Sequence, residues 1–321
     1  MNSLRIVFMG TPEFAVASLE ALVKANFNVV AVVTVADKPA GRGQQLQESP
    51  VKKFALAHNI TVLQPTNLKD PDFLAELKSY QADLQFVVAF RMLPEQVWNM
   101  PRLGTYNLHG SLLPRYRGAA PINHAILNGD KISGVTTFKL QHAIDTGNIL
   151  LQATQAIDDE MTAGELHDKL MVLGAQLVVD TAKAIATGDA TNQPLKYREQ
   201  SDSEATHAPK IFKEHCKIDW NKPASVVNNQ IRGLSPYPTA YTQVQSPLLG
   251  TKLLKVYAAH INASDRATDG AAQIRCDAHR MWVSANDVWL ELKEVQLEGK
   301  KRMPVSEFLN GLRDAQQLRI V

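Results

Sequence analysis

Cysteine is scarce in this sequence, which limits the ways in which the fold could be cross-linked. The 321 residues include 2 cysteines, Cys216 and Cys276, and neither has a cysteine or histidine at metal-ligand spacing beside it. A pair so far apart encodes neither a disulfide framework nor a zinc site. We therefore expect no metal and no disulfide, and we interpret both thiols as ordinary small side chains.

Long apolar runs are also missing by inspection. We find no window that approaches the roughly 18 apolar residues that a membrane-spanning helix needs. The amino-terminal apolar run meets Gly10, Pro12 and Glu13 before it is long enough to serve as a signal peptide. These observations predict a cytoplasmic protein without a membrane partner, and we expect a monomer.

No strong excess of charge of one sign marks the chain. The net charge is +2, with −1 in residues 1–200 and +3 in residues 201–321. Any affinity for polyanions would then lie mostly in the second part, and a surplus of this size is weak evidence for a nucleic-acid partner. The length is sufficient for two domains that each bury a core.

Strand and helix patterns alternate through the first part of the chain. Such alternation predicts βαβ units and a mostly parallel, doubly wound α/β sheet. One crossover contains the polar loop 37–50, and long loops of this kind are often functional. Strands are predicted over 4–9, 28–35, 60–63, 83–90, 132–141 and 148–157, and a long amphipathic helix over 162–188 that stops at Gly188.

The pattern changes after residue 188. A polar stretch follows that is poor in large apolar residues, as is typical of an interdomain linker. From about residue 211, short alternating segments separated by turn residues predict a small antiparallel barrel or sandwich. We divide the chain into a domain over 1–188, a linker over 189–209 and a second domain over 210–321.

The segment YNLHGSLLPRYRG contains the first candidate site residues. Alternate side chains of a strand share a face, so Asn107 and His109 would project together at the carboxyl end of a strand, with Leu108 turned into the core. Open α/β sheets bind ligands at that edge. Ser111 follows His109 in a turn and not at a strand-to-helix elbow, so a serine-centred catalytic triad is not predicted.

Asp145 in the segment HAIDTG is the third candidate. An isolated Asp-Thr-Gly usually makes only a turn, in which the carboxylate accepts backbone N–H groups. Beside Asn107 and His109, however, the carboxylate could complete a trio suited to attack of an amine on a carbonyl. Asn107 could donate to the oxyanion, His109 could move protons, and Asp145 could favour the imidazolium or take a proton through a water.

Four stretches of the chain carry a family resemblance: FMGTPEFA, KPAGRGQQLQESPVK, NLHGSLLPRYRGAAPI and GVTTFKLQHAIDTGNIL. With IDWNKPA and IRGLSPYPTAY near the carboxyl end, the sequence resembles the methionyl-tRNA formyltransferase family, whose members use 10-formyltetrahydrofolate. The resemblance covers nearly the whole chain. It implies a Rossmann-like catalytic domain followed by a small OB-like β-barrel domain.

The resemblance also implies roles for individual residues. Asn107, His109 and Asp145 match the residues that carry catalysis in the family. The arginine of the inserted loop, matching Arg42, is expected to help read the acceptor end of the initiator Met-tRNA, and the barrel and linker to grip the tRNA body through phosphate contacts of residues such as Lys210. The turn that lines the folate site in the family matches Ser111, Leu112, Leu113 and Pro114.

Other functions stay open at this point. The same folate chemistry could serve a sugar-nucleotide amine as acceptor, or hydrolysis of the formyl folate. A further alternative is a non-catalytic RNA-binding protein. One departure from the family pattern is the segment FRMLP, in which Arg91 brings a charge near the expected folate site.

Overall fold

The structure is a computed structural model that describes residues 4–40, 45–267, 270 and 272–321. The chain divides into two compact units. The first unit comprises Met1–Pro121, Ile132–Ala156 and His167–Ala208, and the second comprises Ile122–Lys131, Ile157–Leu166 and Pro209–Val321.

The strands of the first unit form one mixed sheet and two small ribbons. The strands are β1 (Arg5–Gly10), β2 (Asn28–Val33), β3 (Lys38–Ala40), β4 (Gln45–Gln47), β5 (Thr61–Leu63), β6 (Leu84–Val88), β7 (Thr105–His109), β8 (Arg117–Gly118), β9 (Ile132–Lys139), β10 (Ile149–Ala156) and β11 (His207–Ala208). The main sheet has the order β10-β9-β7-β6-β1-β2-β5, in which β5, β2, β1, β6 and β7 are parallel and β9 is antiparallel to both of its neighbours, β7 and β10.

The predicted Rossmann-like sheet is confirmed, and its predicted strands differ from the observed ones by one or two residues at their ends. The strand order reverses direction at β1, which has β2 on one side and β6 on the other. In such sheets the carboxyl ends around the reversal form the ligand crevice. Strand β7 is next to β6, so its carboxyl end lies beside this crevice.

Helices lie between the strands, and local sequence signals mark where some of them begin. The helices of the chain are α1 (Glu13–Lys24), α2 (Pro50–Ala57), α3 (Pro71–Ser79), α4 (Glu95–Trp98), α5 (Pro121–Leu127), α6 (Ala163–Thr191), α7 (Ala224–Gly233) and α8 (Val305–Asn310). In α3, the side chain of Asp70 accepts the backbone N–H of Asp72, and Pro71 occupies the first turn, where its missing N–H costs nothing.

The main sheet is held by apolar side chains on both faces. Val7, Met9, Ala31 and Val33 of β1 and β2 lie in one buried cluster with Phe73 of α3. Full burial of such side chains contributes roughly 1.5–3 kcal/mol each. The carboxyl-end rim is thus a rigid support for the polar residues that project from it.

Helix α6 corrects two sequence expectations. It continues past Gly188 to Thr191, and by length and composition it could cross a membrane, although no such segment was expected. Half of its most apolar stretch is buried. A Cβ on Gly174 would lie 2.7 Å from Leu108 of β7, so the helix packs directly on the sheet as a core helix does.

The second unit contains an antiparallel, barrel-like sheet, as the OB-like prediction requires. Its order is β14-β15-β16-β13-β12-β18, with β17 paired to β16. Helices α7 and α8 lie in this part of the chain, where the sequence analysis predicted only strands. The strands are β12 (Ala240–Ser246), β13 (Gly250–Arg266), β14 (Ile274–Cys276), β15 (Met281–Ser284), β16 (Val288–Leu297), β17 (Met303–Pro304) and β18 (Arg319–Ile320).

The polar stretch 189–209 is attached to the first unit at several points. Arg198 pairs with Ile149 through two backbone hydrogen bonds, and β11 pairs in parallel with β8. The hydroxyl of Tyr197 contacts that of the buried Tyr106 at 2.5 Å. The domain boundaries drawn from the sequence stay a prediction, but this stretch is ordered by contacts with the sheet.

Candidate active site

Strand β7 presents two polar side chains at the rim of the sheet. Asn107 pairs with Val87 on one side and Phe138 on the other, and His109 pairs with Thr136. Leu108 points to the opposite face, against α6. The alternation of the strand therefore places Asn107 and His109 on one face.

The imidazole of His109 is fixed through one ring nitrogen. The side chain is buried, and Nε2 lies 2.8 Å from the backbone oxygen of Tyr116. A carbonyl oxygen can only accept, so Nε2 carries the proton and donates it. The second nitrogen, Nδ1, is then the atom that can take up or release a proton in a reaction.

Asp145 is brought to this second nitrogen. Its Oδ2 lies 3.9 Å from Nδ1 of His109, a distance that places the charges side by side without a direct hydrogen bond. The same Oδ2 accepts the backbone N–H of Gly118 at 2.9 Å. The carboxylate is thus aimed at the imidazole, and its side chain is largely buried.

The carboxamide of Asn107 is the part of the site that stays available. The residue is half-buried, and its side chain makes no hydrogen bond with any residue that the structure describes. A polar group in this position can donate to a ligand without breaking an existing contact. A donor, a proton-transfer group and a carboxylate therefore come from β7 and the turn before β10.

The turn after β7 is built on a buried threonine. The Oγ1 of Thr136 donates to the backbone oxygen of Ser111 at 2.7 Å and accepts the N–H of Leu113 at 3.1 Å and an amide N–H of Gln152 at 2.8 Å. The hydroxyl of Ser111 donates to the backbone oxygen of Arg115 at 2.6 Å. Ser111 is therefore occupied in the turn, in keeping with the absence of a serine triad.

The four residues matched to the folate site differ in exposure. Leu113 is fully buried with Phe138 and Ile149, so its side chain is part of the core. Ser111 is also buried, whereas Leu112 and Pro114 are half-buried at the surface of the turn. Of the four, Leu112 and Pro114 therefore have side-chain surface that is open to contact, and Ser111 and Leu113 lie in the interior of the turn.

Arg42 lies outside the residues that the structure describes, but the base of its loop is well defined. Lys52 forms ion pairs with Asp37 and Glu48, and an amide N–H of Gln64 bonds to Asp37 at 2.8 Å. The hydrogen bond from Lys52 holds the pKa of Asp37 below its usual value. These contacts fix the position from which the loop leaves the sheet.

Arg91 and Lys210 lie on exposed surfaces. The guanidinium of Arg91 donates to the backbone oxygens of Pro65 and Thr66 and is thereby held at the surface. In the second unit, the ammonium of Lys210 lies 5.5 Å from the ring centre of Phe212, an exposed aromatic side chain.

Within the described ranges, no group of three or more His, Cys, Asp or Glu side chains could hold a metal ion.

Sequence reasoning missed two residues behind Asp145. Gln200 donates to the backbone oxygens of Asp145 and Gly147, and Arg117 donates to Gln200. Gln200 lies in the polar stretch that the sequence analysis interpreted as a linker. No local pattern marks it, because its partners are more than 50 residues away in sequence.

Comparison with known proteins identifies the family of the chain. Residues 4–182 match the Formyl transferase family, and residues 210–313 match the Formyl transferase C-terminal domain. The chain is 48% identical over 327 residues to the methionyl-tRNA formyltransferase of Flavobacterium johnsoniae, with 100% of both chains covered. It is 49% identical to that of Bacteroides thetaiotaomicron, with 97% of each chain covered.

Solved structures show the same fold at low identity. WlaRD, a sugar 3N-formyl transferase crystallised in the presence of dTDP and 5-N-formyl-THF, has a TM-score of 0.65 and 20% identity, and the match covers 93% of this chain and 99% of that one. An N-formyltransferase of Helicobacter canadensis in complex with folinic acid and dTDP-3-aminofucose also gives 0.65 and 20%, over 94% and 100%. The family match and the full-length relatives thus define a group-transfer enzyme. This chain belongs to the formyl transferase family.

Proposed function

We propose that this protein transfers the formyl group of 10-formyltetrahydrofolate to the α-amino group of methionyl-initiator tRNA, which yields N-formylmethionyl-tRNA for translation initiation. The observation that carries the chemistry is the arrangement of His109, whose Nδ1 faces Asp145 at 3.9 Å beside the unpaired carboxamide of Asn107. The choice of acceptor is supported by full-length relatives that are named for methionyl-tRNA.

The residues of the rim fit a folate co-substrate. The half-buried Leu112 and Pro114 offer apolar surface to an aromatic ring system, and Asn107 offers an unpaired donor and acceptor. Here 10-formyltetrahydrofolate supplies the formyl group and leaves as tetrahydrofolate. It is consumed in the reaction, so we treat it as a second substrate.

Each catalytic residue has one task in this mechanism. Asn107 donates an N–H to the formyl oxygen as negative charge develops there, which contributes roughly 2.7–4 kcal/mol to transition-state stabilisation. His109 keeps its Nε2 proton on Tyr116 throughout, so the proton given to the leaving nitrogen, N10, comes from Nδ1.

Asp145 completes the transfer of protons. The attacking amine forms a bond to the formyl carbon and loses one proton, while the bond from that carbon to N10 breaks and N10 gains one proton. Asp145 takes the proton of the amine through a water and passes it on to Nδ1 of His109, which has given its own proton to N10. His109 and Asp145 thus end the cycle in the states in which they began.

The remaining predictions concern partners and location. We propose that residues 1–188 form the catalytic domain, that 189–209 connect the domains, and that 210–321 bind the tRNA body through phosphate contacts of residues such as Lys210. In this proposal Arg42 reads the acceptor end of the initiator tRNA, and the protein is a cytoplasmic monomer.

An assay with matched acceptors tests the function. Purified protein is incubated with 10-formyltetrahydrofolate carrying a labelled formyl group and either Met-charged initiator tRNA, Met-charged elongator tRNA or a dTDP-linked amino sugar. We expect label on the initiator tRNA, and label on the amino sugar alone would contradict the proposed acceptor. Release of formate without an acceptor would indicate a hydrolase, and tRNA binding without consumption of the folate would indicate a non-catalytic protein.

A substitution in the inserted loop tests the reading of the acceptor end. Arg42→Ala should reduce the preference for initiator over elongator tRNA by about five- to 100-fold, the range expected for loss of one specific contact. Lys53→Ala, an exposed change on α2, is the matched control. Unchanged preference in the Arg42 variant would assign the loop no part in recognition.

A further inference from the structure

The side chain of Gln200 is hydrogen-bonded to the backbone of the turn that carries Asp145. Its amide nitrogen, Nε2, donates to the backbone oxygen of Asp145 at 2.9 Å and to that of Gly147 at 2.8 Å. One side chain thus bonds to the first and the last residue of a three-residue turn. None of the roles assigned above to the segment 189–209 includes this contact.

The turn requires such support because of its backbone. Asp145 has φ = 55°, in the left-handed region that costs free energy for a residue with a Cβ. The turn also passes close to β9, since a Cβ on Gly147 would lie 1.8 Å from the backbone oxygen of Lys139. The direction of the carboxylate therefore depends on contacts made to the backbone of the turn.

The orientation of the Gln200 amide is itself fixed. Nε of Arg117 lies 3.0 Å from Oε1 of Gln200, and a guanidinium can only donate, so the amide oxygen faces Arg117 and the NH2 group faces the turn. Arg117 is buried, and its Nη1 forms an ion pair with Asp202 at 2.8 Å. Its backbone N–H donates to Thr206 at 2.9 Å.

Three consecutive residues therefore contact His109, Gln200 and Asp145. Tyr116 accepts from His109, Arg117 orients Gln200, and Gly118 donates to the carboxylate of Asp145. The pairing of β8 with β11 keeps Arg117 and Gly118 in place.

We propose that Gln200 is a positioning residue for formyl transfer, which acts through the backbone of Asp145 and keeps its carboxylate at Nδ1 of His109. The inference rests on the proposed function, in which Asp145 and His109 exchange a proton. The polar segment after α6 then has a catalytic task in addition to any contact with tRNA.

Two substitutions separate the contacts of Gln200. Gln200→Met keeps the length of the side chain and removes both donors and the acceptor, while Gln200→Glu keeps the acceptor for Arg117 and places an oxygen against the two backbone oxygens. We expect kcat for Met-tRNA to fall by about 10- to 100-fold in both, because small displacements of catalytic groups cost this much. The KM for tRNA should stay within about twofold, since no tRNA contact is removed.

The same substitution in a protein that lacks the Asp145 carboxylate shows whether the effect of Gln200 on kcat depends on Asp145. In Asp145→Ala, which has no carboxylate to position, Gln200→Met should lower kcat by less than about twofold further. The matched control is Gln155→Met on β10, which should leave kcat unchanged, because the Gln155 amide bonds to the backbone oxygen of Ala156 and to nothing else among the described residues.

The outcomes are distinct from those for the proposed function. If wild-type protein formylates a different acceptor, the proposed function fails, and the Gln200 variants are measured with that acceptor instead. Full activity of Gln200→Met, an equal loss in the Asp145→Ala background, or a loss confined to KM would each overturn the positioning role. If Gln200→Met does not fold by circular dichroism, the same comparisons are made with Gln200→Glu, and failure of both to fold would show a structural role instead.

Discussion

The rim of the first unit and the sheet of the second unit use polar residues in opposite ways. At the rim, the buried His109 and the largely buried side chain of Asp145 are hydrogen-bonded to backbone groups of Tyr116 and Gly118, and these bonds fix their positions. On the sheet of the second unit, by contrast, charged residues also pair side chain to side chain at the surface, as Lys293 of β16 does with Glu291 at 2.7 Å.

The comparison indicates how each unit should respond to substitutions. Groups held by backbone contacts perform chemistry that fails with small displacements. Exposed ion pairs are individually weak and exchangeable, and they suit binding to a polyanion through the sum of many contacts. Substitutions at the rim should therefore have large effects on kcat, and substitutions on the second unit should have small, salt-dependent effects on binding.

The largest effect should come from the carboxamide at the rim. Asn107→Ala removes the donor to the formyl oxygen and should lower kcat by about 10²–10³-fold with little change in the KM for tRNA. Asn99→Ala, an exposed asparagine of the same unit, is the control. Steady-state formylation kinetics measure both, and wild-type turnover by Asn107→Ala would remove this residue from the mechanism.

A buried hydroxyl below the rim should affect stability. Thr136→Val keeps the shape of the side chain but leaves the N–H of Leu113 and an amide N–H of Gln152 without their acceptor. Loss of such buried partners should lower the free energy of unfolding by about 1–3 kcal/mol. Urea denaturation measures this, with Thr154→Val on the exposed part of β10 as control. Equal stability of the two variants would show that the turn is not held by Thr136.

A cation of the second unit should have a smaller effect. Lys210→Ala should weaken tRNA binding by about twofold and reduce the slope of log affinity against log salt by about 1, as expected for one phosphate contact. Lys210→Arg keeps the charge and is the control. A large loss of binding that does not depend on salt would break the distinction drawn between the two units.

The smallest effect should be seen at the cysteine of β14. Burial, followed by the nearby charge of Asp277, raises the pKa of Cys276 to about 11. The reactive thiolate is therefore scarce at pH 8 and becomes abundant only as the pH rises through that value. Iodoacetamide should modify Cys276 in the folded protein on the order of 100-fold more slowly than in urea, without loss of formyl transfer. Fast alkylation in the folded protein that abolishes activity would contradict this.

The sequence predicted the elements that local patterns encode. Apolar runs predicted the strands of the main sheet, and helical spacing predicted helices between them. The alternation of β7 placed Asn107 and His109 on one face. The proximity of Asp145 was a hypothesis from the combination of residue types. The sequence could not predict which ring nitrogen of His109 is hydrogen-bonded, because the acceptor is the backbone oxygen of Tyr116.

Other features depend on pairing between distant segments. The polar segment around Gln200 has the composition of a linker, yet it reaches Asp145 and Gly147 across more than 50 residues. Helix α7 was missed because its polar face dominates the sequence, while Val227 and Ile231 are buried in the core of the second unit. In α6, the expected stop at Gly188 was wrong because this glycine does not adopt the left-handed backbone that ends a helix, and a helix can continue through a glycine at a cost of about 1 kcal/mol.

The central claim is that Asn107 and His109 act as one unit on the same formyl group. A double-mutant cycle tests it most directly: single-turnover transfer to Met-charged initiator tRNA is measured for Asn107→Ala, His109→Ala and the double variant. We predict that the double variant is only slightly slower than the slower single variant, because residues that act together lose most of their effect once either is removed. Losses that multiply in the double variant would contradict the claim.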